Sequence, residues 1–525
     1  MLNQNNLFKI ILYLFWTAFI VILIFDNDLS LIRTKTKIPE GEKINSILSE
    51  IEKNYVDSID VNSLIETVIY ETLKNLDPHS IYMTSEEVAS SKELMQGSFD
   101  GIGIEFSIHR DTIIIINVIA NGPSDKKGLK SGERIISIEN ENVAGIGITN
   151  QDVIQKLRGQ KGTKVKIGVR TKNDTLTRFI NLNRDKIPLF SLDLAYEIEP
   201  SIGYIKLNRF SATTFQEFKK ELKNLQSNNK IKSLILDLRG NSGGYLDQSI
   251  KILNEFFSNR ELLVYTEGNA RKKEEYFADS FGLFTNGDIC VLIDEGSASA
   301  SEIVAGAIQD NDRGIIVGER SFGKGLVQEQ IPLNDGSLIR LTVSRYYTPS
   351  GRCIQKPYSK NQEEYFSEMY SREENEPIDS LEKFETINGN IVYGGGGIMP
   401  DYTIKSIDDS IPTSLLYLYT SDFFDNLAFD YVDLYRNSDI DFKNFQISNA
   451  QKNNILSKIE DWMILELRKD INESKIIQDI ENNKPKIINR MTALIIRQKF
   501  GWGEMQMFLN ENDEIISTSL SLLKK

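Results

Sequence analysis

Apolar positions recur along the chain with two different periods, which predict helical and β-rich segments in a definite order. Between residues 39 and 96 they return every three or four positions, which predicts a small helical region. Residues 97–185 alternate apolar and polar positions around glycine-rich turns, which predicts a compact β domain. In residues 186–405 short apolar strands alternate with helical stretches, which predicts an α/β core with a sheet covered by helices. Residues 406–525 form a helix-rich tail without a recognisable motif.

Four apolar runs are the clearest strand predictions of the α/β core, because glycine or polar residues bound each of them. They are Ile202–Leu207, Ser233–Leu238, Ile289–Asp294 and Gly314–Gly318, and a further short run, Leu263–Thr266, is also predicted to be a strand. A β-hairpin is predicted to follow, with its turn at Asn334-Asp335-Gly336. Clusters of small and polar residues follow three of the four strands, so candidate chemistry is expected at these strand ends.

The N-terminus carries an apolar run, Ile10–Phe25, that is interrupted only by Thr17 and preceded by Lys9. Its length approaches the roughly 20 residues that a membrane span requires. The residues after it, Asp26-Asn27-Asp28, lack the small-x-small pattern of a signal peptidase site. Residues 1–28 are therefore predicted to be an uncleaved signal anchor, with a cleaved signal peptide as the alternative.

Charge and residue counts exclude several classes of function. A net charge of -14 and a pI near 5.0 argue against a nucleic-acid partner, because no basic stripe is present to neutralise phosphates. Two cysteines, Cys290 and Cys353, are too few for a disulfide framework or a thiolate metal site, and Cys290 lies in an apolar run typical of a buried strand. The only histidines, His79 and His109, lie far upstream of the clusters, which argues against a Ser-His-Asp triad. Hydrolytic chemistry must then use another base, and the sequence requires neither metal nor cofactor.

The densest cluster of small residues, Glu295–Glu302, lies between a predicted strand and a predicted helix. A hydroxyl at such a turn is exposed at the sheet edge, where the free N–H groups of the helix can stabilise an oxyanion. Ser299 is the candidate nucleophile, with Ser297 and Ser301 as competitors. The alternative is a purely structural capping box, since Ser299 begins the pattern S-x-x-E.

Two further clusters also follow predicted strands. Ser321–Gly325 places Lys324 between glycines, and a lysine in a tight apolar setting loses solvation and can act as a neutral base. The alternative is an ordinary surface lysine. Asp237–Gly244 supplies glycine N–H donors for an oxyanion or a phosphate, but it lacks the P-loop pattern, which disfavours nucleotide binding.

Taken in order, the three clusters resemble the carboxyl-terminal processing (tail-specific) proteases, whose patterns are DLRxNPGG, GSASASE and FGKG-x-x-x-Q. The corresponding segments are Asp237–Gly244, Gly296–Glu302 and Phe322–Gln328. Ser242 stands where the family has a proline, from which we expect a more mobile loop in an active enzyme.

The resemblance implies a role for each matching residue. Ser299 would be the nucleophile, Lys324 the general base, and Gln328 the residue that orients the lysine. The main-chain N–H of Ala300, with one from the turn at Gly243 and Gly244, would form the oxyanion hole. No metal or cofactor is implied.

The resemblance covers roughly residues 40–405 and implies a crotonase-like α/β protease core with an inserted PDZ domain at residues 97–185. Within that domain, Gly101, Ile102, Gly103 and Ile104 stand where the carboxylate-binding loop runs, with a plain β-turn as the alternative. A short motif, Leu76-Asp77-Pro78-His79-Ser80, resembles one in the family's N-terminal helices.

The expected protein is a serine endopeptidase that cleaves protein substrates near their C-termini, recognises apolar tails through the PDZ domain and binds no nucleic acid. The family analogy implies an inner-membrane anchor with the catalytic part in the bacterial periplasm, or release into the periplasm after cleavage of the anchor. A catalytically inactive PDZ tail-binding scaffold is the main alternative, and an acyl-CoA enzyme sharing only the fold is a second one.

Overall fold

The computed structural model describes residues 40–172, 174–279, 282–358, 361–371, 381–405, 411–436 and 440–524. The predicted anchor, residues 1–28, lies outside this part of the chain. Within it, no helix combines the length and apolar character needed to cross a membrane. The chain divides into two compact units, residues 1–76 and residues 77–525, each of which is described by itself.

The described part of the first unit contains two helices, α1 (Glu40–Asn54) and α2 (Val61–Lys74). The helical prediction for this segment is confirmed, because apolar residues at three- and four-residue steps fall on helices. Asp60 begins α2 as its N-cap, and its carboxylate accepts hydrogen bonds from the N–H groups two and three residues later.

The second unit contains the remaining elements. Its α-helices are α3 (Ser85–Gln96), α4 (Pro123–Lys126), α5 (Asn150–Leu157), α6 (Thr214–Asn224), α7 (Leu246–Asn254), α8 (Ala300–Asp310), α9 (Gln362–Ser371), α10 (Thr413–Thr420), α11 (Asp422–Tyr435), α12 (Asn449–Leu467), α13 (Glu473–Lys499), α14 (Trp502–Asn510) and α15 (Glu514–Leu523). Its strands are β1 (Ile81–Met83), β2 (Ser98–Gly101), β3 (Ile104–His109), β4 (Thr112–Val118), β5 (Arg134–Ile138), β6 (Glu141–Asn142), β7 (Lys164–Arg170), β8 (Arg178–Asn183), β9 (Asp185–Pro188), β10 (Leu192–Glu199), β11 (Ile202–Leu207), β12 (Ser233–Asp237), β13 (Leu262–Glu267), β14 (Glu274–Phe277), β15 (Asp288–Ile293), β16 (Ile315–Gly318), β17 (Leu326–Pro332), β18 (Leu338–Tyr347), β19 (Lys383–Glu385), β20 (Ile391–Tyr393) and β21 (Tyr402–Thr403).

A six-stranded sheet with the order β10-β11-β12-β15-β16-β21 forms the centre of the α/β core. All neighbours from β11 to β21 are parallel, and only β10 pairs antiparallel. Residues of α6, α7 and α8 share a buried apolar cluster with one face of this sheet. Parallel strands point their carboxyl ends to the same edge, so the loops after β12, β15 and β16 are neighbours.

The α/β core holds a second sheet that the sequence pattern does not reveal. It has the order β1-β18-β13-β14, and β17 also pairs with β18. The predicted hairpin is present as β17 and β18, with a left-handed glycine at Gly336. The expectation of a single helix-covered sheet is incomplete, because local periodicity identifies strands but not the distant strands with which they pair.

The predicted β domain is a sheet of order β3-β4-β5-β7-β8, with β6 beside β5. Its buried face and α5 share one apolar cluster. Strand β2 pairs with β9, so the chain enters and leaves the domain through one antiparallel ribbon. The domain is therefore inserted between α3 and the central sheet.

The C-terminal helices have an apolar core of their own and also cover the central sheet. Helices α10–α13 bury one shared cluster. Helix α15 packs Ile515 and Ile516 on the central-sheet face opposite to α6–α8.

Helix α11 also contacts the β domain. Phe429 packs against Ile114 and Ile116 of β4. Asp433 forms ion pairs of 2.7 Å with Arg134 and 2.9 Å with Lys172. The tail, in which no motif was recognisable, therefore contacts both the β domain and the central sheet.

Candidate active site

Ser299 lies where the chain passes from β15 into α8. Its positive φ of 55°, combined with a ψ of -111°, is a backbone conformation that non-glycine residues rarely adopt. A strained strand-to-helix turn of this kind carries the nucleophile in α/β-hydrolases. The backbone at Ser299 is therefore unusual in a way that a simple helix cap does not require.

The three serines of this turn differ in what their hydroxyl groups do. Ser297 Oγ donates to the carbonyl of Leu238 at 2.9 Å, and Ser301 Oγ donates to that of Asn241 at 2.8 Å. Both residues are fully buried, whereas Ser299 is only partly buried. The Ser299 side chain takes part in a capping box as an acceptor for the main-chain N–H of Glu302, and no described residue accepts a hydrogen bond from its hydroxyl. The competing serines therefore hold the loop, and the hydroxyl of Ser299 is available.

One buried carboxylate, that of Glu302, joins the loop of Ser299 to the loop of Lys324. Glu302 Oε2 accepts hydrogen bonds from the main-chain N–H of Ser299 at 2.8 Å and of Lys324 at 2.9 Å. Glu302 Oε1 accepts from Ser321 Oγ at 2.5 Å and from the N–H of Gly323 at 2.7 Å. The main-chain nitrogens of Ser299 and Lys324 can be no farther apart than the sum of their distances to the shared oxygen. The two loops therefore meet at Glu302.

The sequence pattern S-x-x-E indicates Glu302 only as a capping residue. Its bond to the Ser299 N–H is the carboxylate half of that cap. Its contacts to residues 321–324 come from the tertiary structure and were not predicted. Burial raises the pKa of the Glu302 carboxyl, and hydrogen bonds led by that from Ser321 oppose this shift.

Lys324 lies in an environment that favours its neutral form. Burial, followed by the positive charge of Arg340, lowers the pKa of the Lys324 amine from 10.5 to about 8. The carboxylates of Glu302 and Asp77 oppose this shift. The amine is therefore much closer to its titration point at neutral pH than an exposed lysine is.

Gln328, on β17, contacts the Lys324 side chain directly. Lys324 Nζ donates to Gln328 Oε1 at 2.9 Å, and no hydrogen bond joins Nζ to Ser299. The other end of the amide, Gln328 Nε2, donates to the main-chain carbonyl of His79. The structure therefore brings Gln328 together with Lys324, as the family resemblance implies.

The loop after β12 lies against Ser299. A Cβ at Gly243 would come within 2.8 Å of Ser299 Cβ and 2.9 Å of the Ala300 nitrogen, so only glycine fits there. The Gly243 N–H already donates to Asn241 Oδ1 at 2.9 Å, whereas no described residue accepts from the Gly244 N–H. Ala300 is the first residue of α8, so its N–H lies outside the hydrogen-bond ladder of the helix. Gly244 and Ala300 are the donors left for an oxyanion.

His79 lies beside this site although it is far upstream in the sequence. Its ring makes an edge contact with Phe322, and its Nε2 shares a hydrogen bond of 2.9 Å with Tyr365 OH. Burial and the charge of Lys324 lower the pKa of the His79 imidazole from 6.5 to about 3. The argument from sequence distance is therefore wrong, because folding places β1 and its preceding turn beside β18. The low pKa is what makes this imidazole a poor base.

The candidate tail-binding loop precedes β3. The carbonyl of Ile102 accepts hydrogen bonds from the N–H and Oγ of Ser124, and that of Gly103 accepts from the N–H of Ile119. No described residue accepts from the N–H groups of Ile102 or Gly103. Gly103 has a φ of 76°, and β3, which begins at Ile104, is an edge strand. The loop follows Gly101 and leaves main-chain donors unused at the end of an open sheet edge.

Within the described residues, no group of three or more His, Cys, Asp or Glu side chains is placed to hold a metal ion. Cys290 is fully buried in the central sheet, which confirms its interpretation as a small apolar residue. Burial raises the pKa of its thiol to about 12.

Comparison with known proteins identifies two families in the chain. Residues 201–362 match the model of peptidase family S41, and residues 101–182 match that of the PDZ domain. The chain is 37% identical to the carboxy-terminal-processing protease of Bartonella bacilliformis, over 60% of this chain and 72% of that protein. It is 34% identical to the carboxy-terminal processing protease CtpB of Bacillus subtilis, over 60% and 65% of the two chains. It is 31% identical to CtpA of the same species, over 69% and 77%.

Proposed function

We propose that the serine endopeptidase reaction of this chain uses a dyad of Ser299 and Lys324. The chain belongs to the carboxy-terminal processing proteases of peptidase family S41. The observation that carries the proposal is the Glu302 carboxylate, one oxygen of which binds the backbone of both residues. The parallel sheet with α6–α8 on one face supports a crotonase-like description of the core.

Acylation begins with proton transfer from the Ser299 hydroxyl to the neutral amine of Lys324. Ser299 Oγ then forms a bond to the carbonyl carbon of the substrate. In the structure the amine donates to Gln328 Oε1, which leaves the nitrogen lone pair of a neutral lysine to accept the proton. The final approach of Nζ to Oγ is expected when substrate binds, since catalytic hydrogen bonds often tighten only in the complex.

The negative charge of the tetrahedral intermediate requires N–H donors close to Ser299. The N–H groups of Ala300 and Gly244 support this role. The N–H of Gly243 is already used, but the absence of a side chain at Gly243 lets the loop lie close to Ser299. Protonated Lys324 then gives its proton to the leaving amine as the carbon–nitrogen bond breaks. A water molecule, deprotonated by Lys324, attacks the acyl carbon, and protonated Lys324 returns its proton to Ser299 Oγ as the ester bond breaks.

The PDZ domain is proposed to bind the C-terminal tail of the substrate. Unused N–H groups at Ile102 and Gly103 support capture of a carboxylate, and the open edge of β3 supports addition of the tail as a strand. The buried side chains of Val153 and Leu157 on α5 belong to the same apolar cluster as Ile102. An apolar last residue is the chemistry that such surroundings favour.

Anchoring by residues 1–28 and a periplasmic location also belong to the proposal. Their support is the apolar run Ile10–Phe25, followed by a segment without a signal-peptidase site. Membrane fractionation before and after alkaline carbonate extraction would separate an uncleaved anchor from a released, cleaved chain.

Active-site labelling tests the dyad most directly. A serine-directed acylating probe should modify Ser299, identified by peptide mass spectrometry, and Lys324→Ala should abolish both labelling and cleavage. Ser90→Ala removes an exposed hydroxyl on α3 and serves as the matched control. Probe attachment at another serine, or full cleavage by Ser299→Ala, would contradict the assignment. An unlabelled, inactive wild type would instead favour the scaffold alternative.

Tail recognition has a separate test. A substrate protein with an apolar C-terminus should be cleaved faster than the same protein ending in aspartates, through a difference in KM. Equal rates for both substrates would contradict recognition of the tail while leaving the dyad unaffected.

A further inference from the structure

The turn before β1 is closed by the carboxylate of Asp77. Asp77 Oδ1 accepts hydrogen bonds from the main-chain N–H of His79 and of Ser80, both at 2.8 Å. Asp77 Oδ2 accepts from Ser80 Oγ at 2.6 Å. Asp77, Pro78 and Ser80 are buried. These bonds fix the main chain on both sides of His79 and hence the direction of its carbonyl.

The same turn is attached to β18 at the position opposite Gln328. Thr342 Oγ1 donates to Asp77 Oδ1 at 3.2 Å, and the Thr342 N–H donates to Ser80 Oγ at 3.1 Å. Thr342 is the β18 partner of Gln328 in the β17–β18 pairing. The turn and the glutamine are therefore held on one short stretch of the hairpin.

The carbonyl of His79 determines which end of the Gln328 amide faces Lys324. A carbonyl can only accept a hydrogen bond, so it takes the Nε2 end of the amide and leaves Oε1 for the lysine amine. A rotated amide would direct an N–H toward the lone pair of neutral Lys324. That N–H would compete with the Ser299 hydroxyl for the lone pair that must accept the proton.

We propose that Asp77 is a positioning residue for Lys324, acting through the His79 carbonyl and the Gln328 amide. The inference rests on the proposed role of Lys324 as general base. It assigns a task to the motif Leu76-Asp77-Pro78-His79-Ser80, which contains neither nucleophile nor base. Asp77 keeps the Gln328 amide in the one orientation that leaves the lysine lone pair free.

A double-mutant cycle between Asp77 and Gln328 tests the proposal. Asp77→Ala and Gln328→Ala should each lower kcat by about 10- to 100-fold with little change in KM, because a misplaced catalytic group costs factors of this size. If Asp77 acts through Gln328, adding Asp77→Ala to Gln328→Ala should cost less than about twofold more. Multiplicative effects in the double variant would overturn the proposal.

Two further variants separate positioning from folding and from charge. Asp335→Ala removes a similar cap at the tip of the same hairpin, where Asp335 Oδ1 accepts from the N–H and Oγ of Ser337, and kcat should be unchanged. Asp77→Asn keeps an acceptor oxygen for the turn and should recover most of the activity lost in Asp77→Ala. Loss of activity in Asp77→Asn equal to that in Asp77→Ala would overturn the proposal in favour of a role for the charge.

The folded state of each variant is checked by thermal unfolding. If Asp77→Ala does not fold, the cycle is run with Ser80→Ala, which removes the hydroxyl linking Asp77 to Thr342. If the effects of Ser80→Ala and Gln328→Ala on kcat multiply in the double variant, the proposal is overturned in the same way. Lys324→Ala distinguishes the two levels of inference: an active Lys324→Ala refutes the general base itself. An inactive Lys324→Ala with a multiplicative Asp77–Gln328 cycle refutes only the positioning role.

Discussion

Replacing Lys324 with methionine should abolish peptide cleavage and remove a pH-dependent penalty on the stability of the fold. Methionine keeps an unbranched apolar stem but cannot carry a charge or accept a proton. In the wild type, burial disfavours the charged amine, and no described carboxylate forms an ion pair with Nζ. The same burial that prepares Lys324 as a base must therefore cost stability while the amine is protonated.

The size of this penalty follows from the change in pKa. Folding lowers the pKa of the Lys324 amine from 10.5 to about 8. At about 1.4 kcal/mol for each tenfold change in the protonation equilibrium, the charged form costs roughly 3 kcal/mol of folding free energy. Between pH 8 and 10.5 the unfolded chain binds more protons than the native state, so wild-type stability rises with pH in this window. Below pH 8 the penalty is fully present.

The methionine variant lacks this titration. The stability of the variant relative to wild type should therefore fall by roughly 3 kcal/mol as the pH rises from 7 to 10.5. This change is independent of the constant cost of leaving Gln328 Oε1 without its donor. The comparison thus isolates the charge from the lost hydrogen bond.

Denaturant unfolding of wild type and variant at several pH values, followed by far-ultraviolet circular dichroism, measures this difference. Lys251→Met, at an exposed position of α7, is the matched control for replacing a lysine with methionine. Parallel stability curves for wild type and Lys324→Met would refute the reasoning, since they would show that Lys324 titrates alike in the folded and unfolded states.

Three other outcomes are expected. The kcat/KM of the wild type should rise with pH, with a midpoint near pH 8, because about one tenth of Lys324 is neutral one pH unit below its pKa. A kcat/KM that stays constant between pH 6 and 9 would contradict a lysine base. Glu302→Gln should lower stability by about 3 kcal/mol and sharply reduce kcat, because an amide cannot accept all four hydrogen bonds of the carboxylate. Unfolding and kinetics close to those of the wild type would contradict the linking role of Glu302. Asp433→Asn should speed hydrogen exchange in β4 and β5, because Arg134 and Lys172 lose their partner on α11. Unchanged exchange would show that apolar packing alone holds α11 against the β domain.

Local sequence patterns predicted much of the fold because they depend on neighbouring residues. Strand β11 begins and ends at the predicted residues, and the predicted strand Ser233–Leu238 ends one residue earlier, at Asp237. The second sheet was missed because β18 pairs with β1 and β13, which are distant in sequence.

The candidate site, like the fold, was predicted only in part from the sequence. The family resemblance suggested Ser299, Lys324 and Gln328, and the structure brings the loops of Ser299 and Lys324 together and places Gln328 of β17 against the lysine amine. No local pattern could show that Glu302 binds two loops at once, or that the carbonyl of His79 meets Gln328. These contacts join segments that the sequence keeps far apart.

The sequence by itself determined the kinds of element, the small residues at the strand ends and the shortage of histidine, because these depend on composition and on spacing of a few residues. Only the tertiary structure decided which loops meet and how strongly each titratable group is buried. Burial and distant charges set the pKa of Lys324, and they exist only once the chain has folded. The sequence left open whether Lys324 is a base or an ordinary surface lysine, and burial in the folded chain is the physical reason that favours the base.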